Sequence, residues 1–133
     1  MKNILIALWV AFFIFSGAHA SLISGDGAFC SIEDGQFQSC WGSSVPLPNN
    51  VQEIRQASIS KSHGCAVLKN GQVKCWGDNT YGQTEVPQNV TSPKSVVVLW
   101  NFSCALYETD STCWGKLGPN YIIPKGKKIE KLE

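Results

Sequence analysis

The chain has 133 residues, of which 44% are hydrophobic and 16% charged, and its formal net charge is +1. A chain of this length holds one modest domain, and its near-neutral charge excludes the strongly basic face that nucleic-acid binding requires. The lysines near the C-terminus are interrupted by Glu130 and Glu133, which favours a solvated tail over a binding patch.

The first element in chain order is a secretory signal peptide, predicted over residues 1–20. Residues 4–15 are an unbroken apolar run, and Ala18 and Ala20 are small residues at the two positions that a signal peptidase reads. This run of 12 residues is shorter than the ~20 residues that span a bilayer, which disfavours a membrane anchor. With cleavage after Ala20, residues 21–133 are expected to be secreted or periplasmic and free of the membrane.

The remaining chain contains one pattern three times: a cysteine, eight or nine residues, then Cys-Trp-Gly. The copies begin at Cys30, Cys65 and Cys104, so they start 35 and 39 residues apart, a period typical of stacked supersecondary units. Six cysteines in a small exported chain indicate disulfides. Zinc sites usually place paired ligands about two to four residues apart, often with histidine. The pattern therefore predicts disulfides, with no metal and no other cofactor.

Each copy is predicted to be a β-hairpin whose two cysteines lie directly opposite each other. The Asp-Gly pair at residues 34–35 and the Asn-Gly pair at 70–71 tolerate the positive φ of tight hairpins. A three-residue loop at 69–71 sets the register of the second copy, and the first is expected to share this construction. The third copy is one residue shorter, and a two-residue loop at 108–109 keeps its cysteines opposed. Opposed Cβ atoms lie ~4.5–5.5 Å apart, close to disulfide distance. The predicted disulfides are Cys30–Cys40, Cys65–Cys75 and Cys104–Cys113.

Further strand candidates precede the hairpins at residues 54–59 and 96–99, and a polar turn ending in Val-Pro or Ile-Pro follows them. No part of the chain after the leader shows a sustained period of 3.6 residues, so the predicted fold class is all-β. The repeat cores are placed at about residues 22–46, 54–87 and 96–124, and a half-repeat at 125–133 follows.

One stretch carries a resemblance to a known family. Residues 63–83 read His-Gly-Cys-Ala-Val-Leu-Lys-Asn-Gly-Gln-Val-Lys-Cys-Trp-Gly-Asp-Asn-Thr-Tyr-Gly-Gln, and Val86-Pro87 follows. This stretch resembles the repeat of the regulator-of-chromosome-condensation family, in its short bacterial variety with a cysteine pair. It is also similar to the cysteine-free repeats of propeller-shaped secreted β-lactamase inhibitors. Ala28 and Phe102 depart from the pattern, because they replace the histidine that the middle copy has at His63.

The resemblance implies a β-propeller in which each repeat is one blade. It implies about seven blades, whereas closed propellers use four to eight and this chain has three cores. Ile129 and Leu132 follow a proline at the same spacing as Val51 and Ile54 do, so the C-terminal end resembles the start of a further repeat. The two chain ends are therefore complementary pieces of one repeat. Two arrangements stay open: a homodimer that closes a six-bladed ring, or an open three-blade partial propeller stapled by its disulfides, whose edges are blunted by short or charged strands.

No catalytic constellation is recognisable, and the chain is predicted not to be an enzyme. After the leader the chain has one histidine, and no convincing nucleophile and orienting acid can be assigned to it. Every cysteine is assigned to a disulfide. His63 is interpreted as a structural hydrogen-bonding residue. Trp41, Trp76 and Trp114 hold equivalent repeat positions and are expected to pack in the core or between blades.

Candidate binding residues lie in the variable turns, because loops on a rigid scaffold commonly carry recognition and tyrosine is favoured in binding sites. Trp100 breaks the repeat; burial is the favoured expectation, and an exposed aromatic anchor is the alternative. The candidate binding surface comprises Asp78, Asn79, Tyr81, Asn120, Tyr121 and Trp100.

The predicted function is that of an exported, non-enzymatic repeat module that binds an unidentified protein partner. Two alternatives remain: a secreted inhibitor or effector of a specific enzyme or host protein, and a carbohydrate-binding domain.

Overall fold

The computed structural model describes residues 19–42 and 45–117. They form nine β-strands in three antiparallel sheets of three strands each, which confirms the expected all-β partial propeller of three blades. Most of the predicted signal peptide and the predicted half-repeat at 125–133 lie outside the described residues. Within those described ranges, no helix is long and apolar enough to cross a membrane.

Each blade is a meander in which the middle strand pairs with both of its neighbours. Blade 1 consists of β1 (Ala20–Gly25), β2 (Ala28–Glu33) and β3 (Gln36–Trp41). Blade 2 consists of β4 (Ile54–Ile59), β5 (His63–Leu68) and β6 (Val73–Gly77). Blade 3 consists of β7 (Ser95–Leu99), β8 (Phe102–Leu106) and β9 (Ser111–Gly115). Blade 1 therefore starts at Ala20, the last residue of the predicted leader.

The cysteines of each copy are paired across the second and third strands of their blade. In all three hairpins the two cysteines are register partners, and the described chain has no free cysteine. The predicted disulfides Cys30–Cys40, Cys65–Cys75 and Cys104–Cys113 are confirmed. Each bridge clamps a hairpin that has only one neighbouring strand within its own sheet.

The first hairpin departs from the expected three-residue loop. Its turn is the two-residue pair Asp34-Gly35, and both residues have positive φ, 49° and 74°. Such a turn matches the right-handed twist of the flanking strands. The extra residue is taken up by an irregularity between Ser31 and Ile32, where the register shifts. Because this shift lies between the turn and the cysteines, Cys30 still faces Cys40.

The blades stack through apolar side chains, with the first strands β1, β4 and β7 side by side. Between blades 1 and 2, Phe37 and Trp76 meet edge to face with ring centroids 5.3 Å apart. They flank a buried cluster made of Ile32, Val51, Ile54, Ala57, Ala66 and Leu68. Between blades 2 and 3 the buried cluster comprises Cys65, Val67, Val90, Val96, Val98, Ala105 and Trp114.

Side chains of β4 also hydrogen-bond to the backbone of β7. The Gln56 amide accepts from Val96 N (2.8 Å) and donates to Val96 O (3.1 Å), so it pairs with that residue as a strand would. The Ser58 hydroxyl accepts from Val98 N (3.1 Å). Arg55 donates to the carbonyls of Pro93 and Lys94. These bonds fix how blade 3 sits against blade 2.

The three repeat tryptophans do not share one environment. Trp114 is buried and Trp76 is half-buried, but Trp41 is 55% exposed, so its expected packing is wrong. The position packs against the preceding blade in blades 2 and 3. Among the described residues no blade precedes blade 1, and the indole of Trp41 therefore faces outwards.

Candidate functional site

Two turns and one loop meet on the same side of blades 2 and 3. Asp78 N donates to Ser62 O (2.9 Å), and the Ser62 hydroxyl donates to Trp100 O (3.1 Å). Lys116 N donates to Asn101 O (2.9 Å). We call this surface the turn rim. It comprises the β4–β5 turn (residues 60–62), the β7–β8 turn (residues 100–101), the loop 78–84 and Lys116.

The turn rim exposes two aromatic side chains. Trp100 is 68% exposed, so the expectation of its burial is wrong. The residue lies in the turn after β7, where its carbonyl is held by Ser62 and its side chain is left outside the inter-blade cluster. Tyr81 is 43% exposed, and Lys116 Nζ lies 4.8 Å from its ring centroid, a cation–π contact. Four of the predicted surface residues, Asp78, Asn79, Tyr81 and Trp100, thus lie on this rim.

Asp78 holds the start of the loop through its carboxylate. Oδ1 accepts from Thr80 N (3.0 Å) and from Thr80 Oγ1 (2.6 Å), the pattern of a local side-chain turn. These bonds to Thr80 lower the pKa of Asp78, and a further bond from Gln83 acts in the same direction. Asp78 therefore carries a negative charge on the rim.

The rest of the loop is held by amide side chains. Asn79 Oδ1 accepts from Thr84 N (3.0 Å), and Asn79 Nδ2 donates to Glu85 Oε1 (2.9 Å). Gln83 Oε1 accepts from Tyr81 N (2.8 Å). The backbone on either side of Tyr81 is thereby fixed by the chain itself, and its ring is presented from a preset position.

A buried polar network lies beneath the rim, between blades 2 and 3. His63, Gln83 and Ser103 are fully buried. His63 Nε2 lies 2.9 Å from Ser103 Oγ, and the Ser103 hydroxyl donates to Gln83 O (2.8 Å). Trp114 Nε1 donates to the same carbonyl (2.9 Å). Gln83 Nε2 in turn donates to Asp78 Oδ2 (3.3 Å), so the network connects the blade interface to the rim.

The network fixes the tautomer of His63. Because the Ser103 hydroxyl donates to Gln83 O, its oxygen accepts from His63 Nε2–H. Nδ1 is then an acceptor. The Ser60 hydroxyl, 3.3 Å away, is the donor left for it and is shared with His63 O (3.0 Å), because the Ser62 hydroxyl donates to Trp100 O. Burial lowers the pKa of His63, opposed by the charge of Asp78 and a bond to the Phe102 carbonyl. His63 is accordingly neutral and joins the two blades.

This polar link is particular to one interface. The repeat positions of His63 hold Ala28 and Phe102 in the other blades, and Gly64 stands in blade 2 where blade 3 has Ser103. Sequence reasoning identified His63 as a hydrogen-bonding residue but missed Ser103 and Gln83. The only signal was for Gln83, because the Gly-Gln pair at the end of the loop belongs to the stretch that resembles the known repeat.

The rim is equipped for recognition. It offers two aromatic rings, the two cations Lys61 and Lys116, one carboxylate, and the amides of Asn79 and Asn101. Across residues 19–42 and 45–117, no three His, Cys, Asp or Glu side chains are grouped so that they could hold a metal ion. Asn120 and Tyr121, the other two predicted surface residues, lie outside the described residues.

Residues 54–83 are similar to the family described as "Regulator of chromosome condensation (RCC1) repeat". None of the curated proteins matches the chain.

Among solved structures the chain is similar to the CRINKLY WD40 ectodomain of the Arabidopsis thaliana receptor kinase ACR4, with 22% identity and a TM-score of 0.56 over 71% of this chain. It is also similar to the ectodomain of the Physcomitrella patens receptor kinase CR4, with 19% identity and a TM-score of 0.57 over 75% of this chain. The similarity covers only about a third of each ectodomain, 35% and 31%. At this identity it shows the fold alone.

Proposed function

We propose that this chain, which is built of propeller-type repeats, is an exported module that binds a protein partner through the turn rim. The observation that carries the proposal is the pair Trp100 and Tyr81, exposed together on a rim whose backbone is held by Ser62, Asn79 and Gln83. Exposed aromatic residues are the side chains that most often dominate binding energy at protein interfaces.

The rigidity of the rim supports recognition. Ordering an interface loop costs free energy on binding, and a loop already fixed in the free protein avoids part of that cost. Bonds from Asp78 to Thr80 and from Asn79 to Thr84 hold the loop before any partner arrives. Lys116 and Asp78 add charges of both signs, which give orientation more than affinity.

A role in binding and not in catalysis is supported by the partners that the reactive side chains have within the protein. The cysteines of the three hairpins form disulfides. Both ring nitrogens of His63 have partners inside the blade interface. The carboxylate of Asp78 serves its own loop.

Export is supported by the leader-like sequence at residues 1–20 and by the three disulfides, which form and persist in oxidising compartments. Two of the solved structures that resemble this chain are receptor-kinase ectodomains.

The test is capture of a partner from the exported fraction of the source organism with the disulfide-bonded chain as bait. The double variant Tyr81→Ser/Trp100→Gln is expected to lose the stoichiometric protein that the unchanged chain retains. Lys69→Gln is the control, because Lys69 is exposed in the β5–β6 turn, outside the turn rim. Retention on glycans alone, or undiminished capture by the double variant, would contradict the proposal.

A further inference from the structure

The outer face of blade 1 carries three exposed apolar side chains. Leu22 is 67% exposed and Phe29 is 45% exposed, and Trp41 completes the set. Phe29 is the register partner of Trp41 across β2 and β3, and of Ser24 in β1. Leu22 stands two residues before Ser24, so alternation along β1 places it on the same face. We call Leu22, Phe29 and Trp41 the blade 1 outer face.

Equivalent positions in the other blades are covered by the blade before them. In blade 2 they are Ala57, Gly64 and Trp76; Ala57 and Trp76 belong to the cluster shared with Ile32 of blade 1. In blade 3 they are Val96, Ser103 and Trp114, all buried against blade 2. The internal interfaces thus show what kind of surface fits this face: the opposite face of another three-stranded blade.

We propose that the blade 1 outer face docks on blade 3 of a second copy of this chain, and that two such contacts close a six-bladed ring. Blade 3 has the matching opposite face. Its Cys104 and Leu106 hold the repeat positions of Cys65 and Val67, which pack against the next blade inside the chain. Leu99, the register partner of Phe102 on this face, is 41% exposed.

The contact on blade 3 falls on Leu99 and on the half-buried Leu106, because Phe102 and Cys104 beside them are already buried. Leu99 and Leu106 lie at opposite ends of the paired strands β7 and β8. They would bracket the incoming blade 1 outer face, whose equivalent Val96 packs against Cys65 and Val67 inside the chain.

A second copy fits better than an unrelated protein for three reasons. Both complementary faces are present in one chain, so a two-fold pair makes the contact twice and closes. A formal net charge of +1 sets up little repulsion between copies. Six blades fall within the four to eight that closed propellers use.

The first experiment measures particle mass by light scattering for the disulfide-bonded chain across a concentration series. The unchanged chain is expected at twice the mass of one chain. Phe29→Asp and Leu99→Asp, each at an exposed side chain, are each expected to raise the dimer dissociation constant at least about tenfold. Lys69→Gln, at an exposed side chain of the middle blade outside both faces, is the control and is expected to dimerise as the unchanged chain does.

The second experiment mixes the two variants. In the proposed ring, a chain with Phe29→Asp keeps its blade 3 face and a chain with Leu99→Asp keeps its outer face, so the mixture regains one of two contacts and forms mixed dimers. If Leu99→Asp alone dimerises fully, copies pair through their blade 1 outer faces and the proposal is wrong. A particle with the mass of one chain at all concentrations also overturns it. Intact disulfides by mass and an unchanged β-sheet spectrum verify that each variant is folded.

Discussion

His63 Nε2 and Ser103 Oγ lie 2.9 Å apart across the interface of blades 2 and 3, and both side chains are fully buried. The two residues are 40 positions apart in the chain. Their contact links one blade to the next and, through Gln83, reaches Asp78 on the turn rim.

Ser103→Ala should destabilise the protein, because it removes the two buried hydrogen bonds of the Ser103 hydroxyl, from His63 Nε2 and to Gln83 O. The expected loss is about 1–3 kcal/mol of the free energy of unfolding, from two bonds worth about 0.5–1.5 kcal/mol each. Urea unfolding of the disulfide-bonded chain measures it. Ser39→Ala on β3, where the side chain is exposed, is the control and should change stability by less than about 0.5 kcal/mol. Equal effects of the two substitutions would contradict the network.

Stability should fall as the pH drops below the ordinary histidine pKa of ~6.5. Burial lowers the pKa of His63 in the folded state, so between its folded and unfolded values the unfolded chain binds more protons. The free energy of unfolding therefore rises with pH across this window and is fully present above it. Unfolding at pH 7.5 and 5.5, compared with His63→Gln, isolates the contribution. A variant with the same pH dependence as the unchanged chain would show that His63 does not carry it.

The pKa of Asp78 is also lowered, so its contribution is present above the ordinary aspartate range and is lost only at more acidic pH. The stability that Asp78 contributes is therefore lost at a lower pH than the stability that His63 contributes.

Gly77→Ala should destabilise the protein by more than the strain of its positive φ alone, because an added Cβ would displace the backbone that leads into the turn rim. Gly77 has φ 99°, and an added Cβ would lie 2.6 Å from Ser62 O, next to the bond that fixes Asp78. Gly82 has φ 75°, but its nearest neighbour would be 3.9 Å away, so Gly82→Ala reports the backbone strain without the clash. The first variant is expected to be about 1–3 kcal/mol less stable than the second. Matching stabilities by thermal unfolding would refute the close approach.

Removing one disulfide should lower the free energy of unfolding by more than the loss of its buried apolar area explains. Cys65→Ala/Cys75→Ala is expected to lose about 2–4 kcal/mol of unfolding free energy, chiefly because the unfolded chain gains freedom. Mass spectrometry gives the companion result, namely no alkylation of the native chain before reduction and six alkylated cysteines after it. A free thiol in the native chain would contradict the pairing.

The local part of the fold could be predicted from sequence. Cysteine spacing and the turn pairs gave the correct partners for Cys65 and Cys104, since hairpin register depends on residues that are close in the chain. The register of the first hairpin near its turn could not be predicted, because a bulge between Ser31 and Ile32 preserves the cysteine pair while changing the loop.

The non-local part could not be predicted in the same way. Repeat equivalence placed Trp41 in an interface, but equivalence predicts packing only where a neighbouring blade exists. For Trp100, burial was favoured over an exposed aromatic anchor, whereas the turn at residue 100 directs its side chain outwards. The bond of His63 to Ser103 joins two repeats, and no local pattern reveals it.

The most direct test of the proposed recognition surface is hydroxyl-radical footprinting of the chain with and without its captured partner. Side-chain oxidation of Trp100 and Tyr81 should fall when the partner binds, while oxidation of Trp41 should stay unchanged. Unchanged oxidation of Trp100 and Tyr81 in the complex, with protection of Trp41 or of another surface instead, would contradict recognition through the turn rim.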